Sequence, residues 1–431
     1  MHPCNTMANL DYSEDNIILF TKKDFDDEFL WGLSETAIPI NAPFKNDLND
    51  LSVCDEVTFK ANQFCNTNNQ GLHFNYKEEI HNTKQLGISN FRFSFSWNLI
   101  IPNGIGTINQ EAIDFYHDII DTCLLNGIEP FVTLCHWNLP EALEKKGGWA
   151  NREIIYWFEE YVKVCINAFK GKVKYWIVLN EPSVFTGAGY YLGIHKFKKR
   201  GENNFLPAVH HALLCQAIGF KLIKKEIPNS QVGTTFSSTY IVPKTTSFKD
   251  VTAANRVDAL LNRIFIEPSL GLGYPIDTLP FLKNIKRYIA QGDNELILAQ
   301  FDFVGIQNYT REVVAHNMYI PFINAEIISP QKINSKNASM YFGPHPKTIY
   351  LMIKKYSLYE GVKKIIITEN EAFNKNEAQL KKFHDERLDY NKSNLEQVLL
   401  AKKIGGKIGG YFIQNSSVNS EWAEFYKSAL I

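Results

Sequence analysis

Net charge is the first thing this 431-residue sequence lacks: 45 lysines and arginines face 46 aspartates and glutamates, leaving −1. So neutral a chain has no electrostatic footprint for nucleic acid or an anionic membrane, and the clusters Lys196 to Arg200 and Lys381 with Lys382 are short solvated faces. No apolar run reaches membrane-spanning length, and the opening MHPCNTMANLDYSEDN lacks the basic-then-apolar order of a signal peptide. The expectation is a cytoplasmic chain without membrane insertion. Cysteine is sparse and unpatterned. Cys4, Cys54, Cys65, Cys123, Cys135, Cys165 and Cys215 are an odd set without CxxC or His-pair spacing, so buried free thiols are expected and a zinc site is not. Asn-x-Ser/Thr sequons at Asn308, Asn337, Asn391 and Asn415 matter only on a secretory route, which they leave open. No Pro/Gly/Ser-rich linker or composition break divides the chain, which reads as an N-terminal extension over 1–25 and one domain over 26–431.

What is present is apolar and aromatic. Hydrophobic residues make up 45%, enough for a large core, and the 13% aromatic share suits either such a core or a carbohydrate-binding cleft. Short β-rich runs recur: FLWGLS (29–34), FRFSFSW (91–97), PFVTLCHW (130–137), YWIVLNE (175–181), VGTTFSS (232–238), DFVGIQNY (302–309), KIIITEN (364–370) and GGYFIQN (409–415). Between them lie helical patterns such as 111–127, with a glycine stop, and 153–171. Eight strands alternating with helices predict an α/β (β/α)₈ TIM barrel. Long irregular stretches are expected at about 36–75, 185–206 and 311–346, where loops of the C-terminal face build a site.

Two of these strands end in acids. Glu181 closes the fourth and Glu369 the seventh, so a barrel directs both carboxylates to one pocket. Either alone reads as a solvated loop acid. Together they match glycoside hydrolysis, which needs one protonated carboxyl to donate to the leaving oxygen and one ionised carboxylate to attack or activate water. Arg92 lies within the second strand, His136 and Trp137 end the third and Tyr309 the sixth, and each singly is equally a satisfied core residue. A guanidinium beside a carboxylate lowers its pKa, and a neutral histidine hydrogen-bonds hydroxyls.

The ordered segments FLWGLSETA, FRFSFSWNLIIPNG, TLCHWNLPEALEKKGGW, VLNEP, DFVGIQNYT, IIITEN and EWAEFY, from about 26 to 426, resemble glycoside hydrolase family 1, the β-glucosidase group. The resemblance implies a retaining β-glycosidase acting on a small-molecule glycoside, with no metal or organic cofactor. It implies Glu181 as general acid/base, Glu369 as nucleophile, Arg92 and Tyr309 holding the nucleophile, and Asn180 on the sugar's 2-hydroxyl. His136, Trp137, Glu421 and Trp422 match positions lining the sugar subsite.

The sequence also departs from the family pattern. Pro39 stands where a sugar-gripping glutamine is usual, Gln414 where a stacking tryptophan is, Gln307 where asparagine is, Asn308 where an aromatic is common and Glu371 where glycine is. Gln414 is a candidate for the amide that Pro39 cannot supply. The chain runs only nine residues beyond Trp422, which leads to the expectation of a short or missing last helix and of a possible homo-oligomer covering that flank. These departures keep two other readings open: a weakened pseudoenzyme that binds glycosides or regulates, and a group-transfer enzyme using the same acids.

Overall fold

The computed structural model describes residues 20–35, 76–193, 199–309, 311–328, 345–370 and 380–414, with side chains of the helix Leu380–Lys403 from Tyr390 onward. Eight parallel strands close into a barrel. They are β1 (Leu30–Ser34), β2 (Asn90–Ser94), β3 (Glu129–Cys135), β4 (Tyr175–Asn180), β5 (Gln231–Ser237), β7 (Phe303–Gln307), β10 (Ile365–Glu369) and β11 (Ile408–Gln414), with β1 pairing both β2 and β11. Each of the eight expected runs supplies one barrel strand. The two expected helices are Gln110–Leu125 and Ile154–Phe169. The first is capped by Asn109, whose side chain accepts from the Ala112 amide, and is followed by Gly127 at φ 71°, a left-handed stop that glycine takes without strain.

Two features explain why the barrel is a plugged tube with a polar mouth. Its lower interior is filled by Phe131, Ile177, Phe303, Ile366 and Phe412, with Leu30 and Tyr175 packed against them; the Phe131 and Tyr175 rings stack at 4.0 Å. Glycines on neighbouring strands make room for these rings. A Cβ on Gly32 would lie 2.2 Å from the Phe412 ring, and one on Gly233 2.5 Å from Phe303. Gly32→Ala is therefore expected to overpack the barrel and lower stability by about 1–3 kcal/mol, read as a drop in urea midpoint at unchanged slope. Above the plug the interior turns polar, with Ser34, Arg92, Thr133, Asn180 and Gln307, all buried.

Several expectations need correction. The expected irregular stretch 185–206 is regular at both ends: Pro182, which suits a first helical position, starts a helix over Pro182–Thr186, a turn of π-helix follows over Gly187–Tyr191, and a long helix begins at Glu202; 194–198 lie outside the described residues. The 311–346 stretch contains β8 (Arg311–His316) and β9 (Ala325–Ile327), which with β6 (Tyr240–Pro243) form a separate three-stranded sheet beside the barrel. The β6–β8 pairing bridges about 70 residues of sequence, which local periodicity does not report. The helix Glu202–Glu226 is, by length and composition, long and apolar enough to cross a membrane, although no such run was expected. It buries Phe205, Val209, Leu213 and Cys215. Finally, β3 ends at Cys135 and β7 at Gln307, so His136, Trp137 and Tyr309 sit just past the strands. Trp137 has φ 67°, a left-handed conformation that no strand continues through.

Phe20 and Phe25, ahead of residue 26, are buried beside Phe29 and Trp31. Cys123, Cys135, Cys165 and Cys215 are buried free thiols, as expected. The end of the chain, on which the short-helix and oligomer expectations rest, lies outside the described residues.

Candidate active site

Strict two-residue alternation does not by itself aim the key side chains into the barrel mouth. On β4 the plug residue Ile177 points inward, so alternation would send Asn180 outward; on β10 the same holds for Glu369 after Ile366. Both strands carry a register shift at that point, between Ile177 and Asn180 on β4 and between Ile367 and Glu369 on β10. Such irregularities re-aim side chains, and here they turn Asn180 and Glu369 towards Arg92.

Arg92, 1% exposed, organises the mouth. A guanidinium this far from water requires partners on every side. Its Nε donates to Thr133 Oγ1 at 3.2 Å, Nη1 to Ser34 Oγ and to the Thr368 carbonyl, each at 3.1 Å, and Nη2 to Asn180 Oδ1 at 2.8 Å. Nη1 also forms the ion pair with Glu369 Oε1. The second oxygen of Glu369 accepts from Tyr309 Oη at 2.9 Å. Burial first, then the Glu369 charge, push the Tyr309 phenol far above its ordinary value, so it remains a donor.

Glu181 follows β4 at φ 47° and ψ 58°, a left-handed conformation that costs a non-glycine residue about 1–2 kcal/mol. Its amide donates to the Thr235 carbonyl at 2.8 Å, and Pro182 turns the chain directly into a helix. Burial of the carboxyl, reinforced by the charge of Glu369, pushes its pKa up to about 8; Ser237 and Arg92 pull the other way and lose. Near neutral pH Glu181 therefore carries its proton beside a carboxylate paired with Arg92.

The orientation of Asn180 follows from its neighbours. Arg92 can only donate, so the atom facing it is Oδ1, which also accepts from Gln307 Nε2 at 3.1 Å. Nδ2 then donates to His136 Nε2 at 2.9 Å, which leaves the imidazole proton on Nδ1, donated to Ser94 Oγ at 3.1 Å. Burial pushes His136 down to about 4, against the pull of Glu369, so the ring is neutral above that value. Trp137 Nε1 donates to the Asn180 carbonyl at 3.1 Å.

Arg92, His136, Trp137, Asn180, Glu181, Tyr309 and Glu369 thus form one connected group. Gln414 ends β11 beside Ser34 of β1, and its backbone N–H donates to the Asn370 carbonyl at 3.2 Å. Pro39, Glu371, Glu421 and Trp422 lie outside the described residues. Ser34, Ser94, Thr133 and Asn370 went unnoticed in the sequence. The alternation in FRFSFSW places Arg92 and Ser94 on one face, but a serine alone carries too little signal to single out. Asn370 ties the end of β10 to its surroundings, donating to the Asn308 carbonyl at 3.0 Å and accepting from Asn394 Nδ2 at 2.9 Å. Asn308 itself is buried, donating to the Ser238 carbonyl at 2.6 Å and accepting from Thr348 Oγ1 at 2.6 Å, so this sequon is closed to a glycan in the folded chain.

Tyr309→Phe removes one hydrogen bond to an ionised group, worth about 1.5–3 kcal/mol, and is expected to lower kcat/KM roughly 10- to 100-fold on an aryl β-glycoside. A loss under threefold would show that Glu369 is held without it.

The comparisons with known proteins agree with this geometry. The model of glycosyl hydrolase family 1 matches residues 21–429. β-Glucosidase A of Thermotoga maritima is 33% identical over 411 residues, covering 94% of this chain and 91% of that protein. A 6-phospho-β-glucosidase of Bacillus subtilis is 29% identical over 433 residues, covering 94% and 91%. The Thermotoga maritima β-glucosidase in complex with deoxynojirimycin superposes with a TM-score of 0.76 at 31% identity, covering 90% of this chain and 88% of that one. A barrel mouth with two buried glutamates, matched by family and by structure over nearly its whole length, places the chain in glycosyl hydrolase family 1 as a β-glucosidase-like hydrolase.

Proposed function

We propose that the chain is a retaining β-glycosidase working through Glu181 and Glu369. The observation that supports this most is the asymmetry of the two acids: Glu369 is fixed by Arg92 and Tyr309, while burial raises Glu181 to about 8. Opposite demands on two carboxyls are what a double displacement needs. In the first step a Glu369 oxygen attacks the anomeric carbon as Glu181 gives its proton to the departing glycosidic oxygen, leaving an ester-linked glycosyl-enzyme. In the second, ionised Glu181 takes a proton from water as that water attacks the same carbon, breaking the ester and restoring both groups.

The residues around them supply recognition. Asn180 Nδ2 spends one N–H on His136 Nε2, 2.9 Å away, and keeps its second for a sugar hydroxyl, with Trp137 walling the subsite. Glu421 and Trp422 complete it on the family resemblance. Pro39 and Gln414, in place of a glutamine and a tryptophan, support a glycone preference other than plain glucose, or a weaker hold on glucose.

An activated 2-deoxy-2-fluoro β-glycoside tests the reading. Its fluorine slows the second step, so the ester on Glu369 accumulates and peptide mapping finds it. Absence of label in folded protein across gluco, galacto, fuco and manno configurations would overturn the proposal and favour the glycoside-binding pseudoenzyme.

A further inference from the structure

We infer that Gln307 is a positioning residue that makes Asn180 a reader of the sugar's second carbon; this rests on the glycosidase site proposed above. Gln307 ends β7, directly paired with Glu369 on one side and Ser237 on the other, and is 1% exposed. Its Nε2 reaches past β5 to Asn180 Oδ1 on β4. Arg92 Nη2 holds the same oxygen, so two donors converge on one acceptor and fix the carboxamide plane. The consequence is carried to Nδ2, the only donor Asn180 has for a ligand. With Oδ1 doubly held, Nδ2 stays on the His136 side of the mouth.

The other end of the glutamine amide shows that this arrangement is not there for stability. Gln307 Oε1 is buried with no hydrogen-bond partner among the described residues. An unsatisfied buried carbonyl costs about 1–3 kcal/mol, a deficit that a methionine of similar length would remove. Arg92 alone already gives Asn180 Oδ1 one donor, so the fold does not need the second. What the second donor adds is orientation, and orientation matters only if Nδ2 has something to bind.

Removing the glutamine amide should therefore separate recognition from folding. The experiment compares deoxynojirimycin with fagomine, its counterpart lacking the 2-hydroxyl, by calorimetry on wild type, Gln307→Met, Asn180→Ala and the double variant, alongside thermal unfolding. Wild type is expected to favour deoxynojirimycin by at least about tenfold, and Gln307→Met to bring the ratio to within about threefold while leaving the fagomine constant and the melting temperature unchanged or higher. In the Asn180→Ala background the second change should add nothing. An unchanged ratio in folded Gln307→Met, an equal weakening of both ligands, or a wild type blind to the 2-hydroxyl would each overturn the inference. Binding reads it without turnover, so a protein that discriminates the two ligands but cannot be labelled on Glu369 would sink the glycosidase reading and leave the role of Gln307 standing.

Discussion

Glu369→Gln is expected to lower turnover of an aryl β-glycoside by at least about 10⁴-fold, because the carboxamide cannot form the ester on which both steps depend. The loss should fall on kcat and kcat/KM alike, since the shape of the site survives. Stability should fall too. Arg92 is buried, and Glu369 is the anion it is paired with. Breaking a buried pair costs up to about 3–5 kcal/mol, the neutral amide retaining part of the hydrogen bonding. The shorter Glu369→Ala separates role from mere damage. Azide, entering the space left by the carboxylate, should attack the anomeric carbon from that side and yield the α-glycosyl azide. With Glu181→Ala azide should instead attack the intact glycosyl-enzyme and yield the β-azide. The same anomer from both variants would show that the two roles are assigned wrongly.

Glu181 supplies the second large effect, read in pH. With its carboxyl raised to about 8, kcat/KM should hold through neutrality and fall about tenfold per pH unit above that point, as the acid loses its proton. Glu181→Gln should erase this limb and cost roughly 10²–10⁴-fold on substrates with poor leaving groups, much less on activated phenols. The stability consequence has a definite sign. The pKa rises on folding, so the contribution of Glu181 is complete below the ordinary carboxylate range, near 4.5, and is lost as pH climbs through about 8. Between those limits wild type should lose on the order of 5 kcal/mol relative to Glu181→Gln, the variant being the more stable at pH 9. Parallel pH–stability curves for the two proteins would show that Glu181 is not desolvated in solution.

Much of this was legible beforehand because it is local. A β-rich run alternating with amphipathic helices reports a parallel barrel through periodicity alone, and seven of the eight strands lie within two residues of their expected bounds; the second ends at Ser94, three residues short of Trp97, which opens a helix instead. The two glutamates were legible because strand ends in such a barrel share a mouth. The small sheet of β6, β8 and β9 was not, since β6 pairs with β8 across about 70 residues of sequence. The helix at Glu202 escaped because its middle, Phe205 to Ala217, is buried on every side, polar His210, His211 and Gln216 included, and such a stretch has no amphipathic signal to read.

The sequence by itself determined the fold class, the order of the elements and which acids reach the mouth, because these follow from side-chain period and from the direction of parallel strands. Only the tertiary structure decided which way those groups face and in what state. Alternation from the inward-pointing Ile177 and Ile366 sends Asn180 and Glu369 out of the barrel; the register shifts on β4 and β10, imposed by pairing with β5 and β7, bring them in. Burial beside Glu369 then keeps the proton on Glu181, and Arg92, surrounded by four strands, locks the carboxylate and the amide that share the site. Register and desolvation are properties of neighbours distant in the chain, and no single stretch of residues contains them.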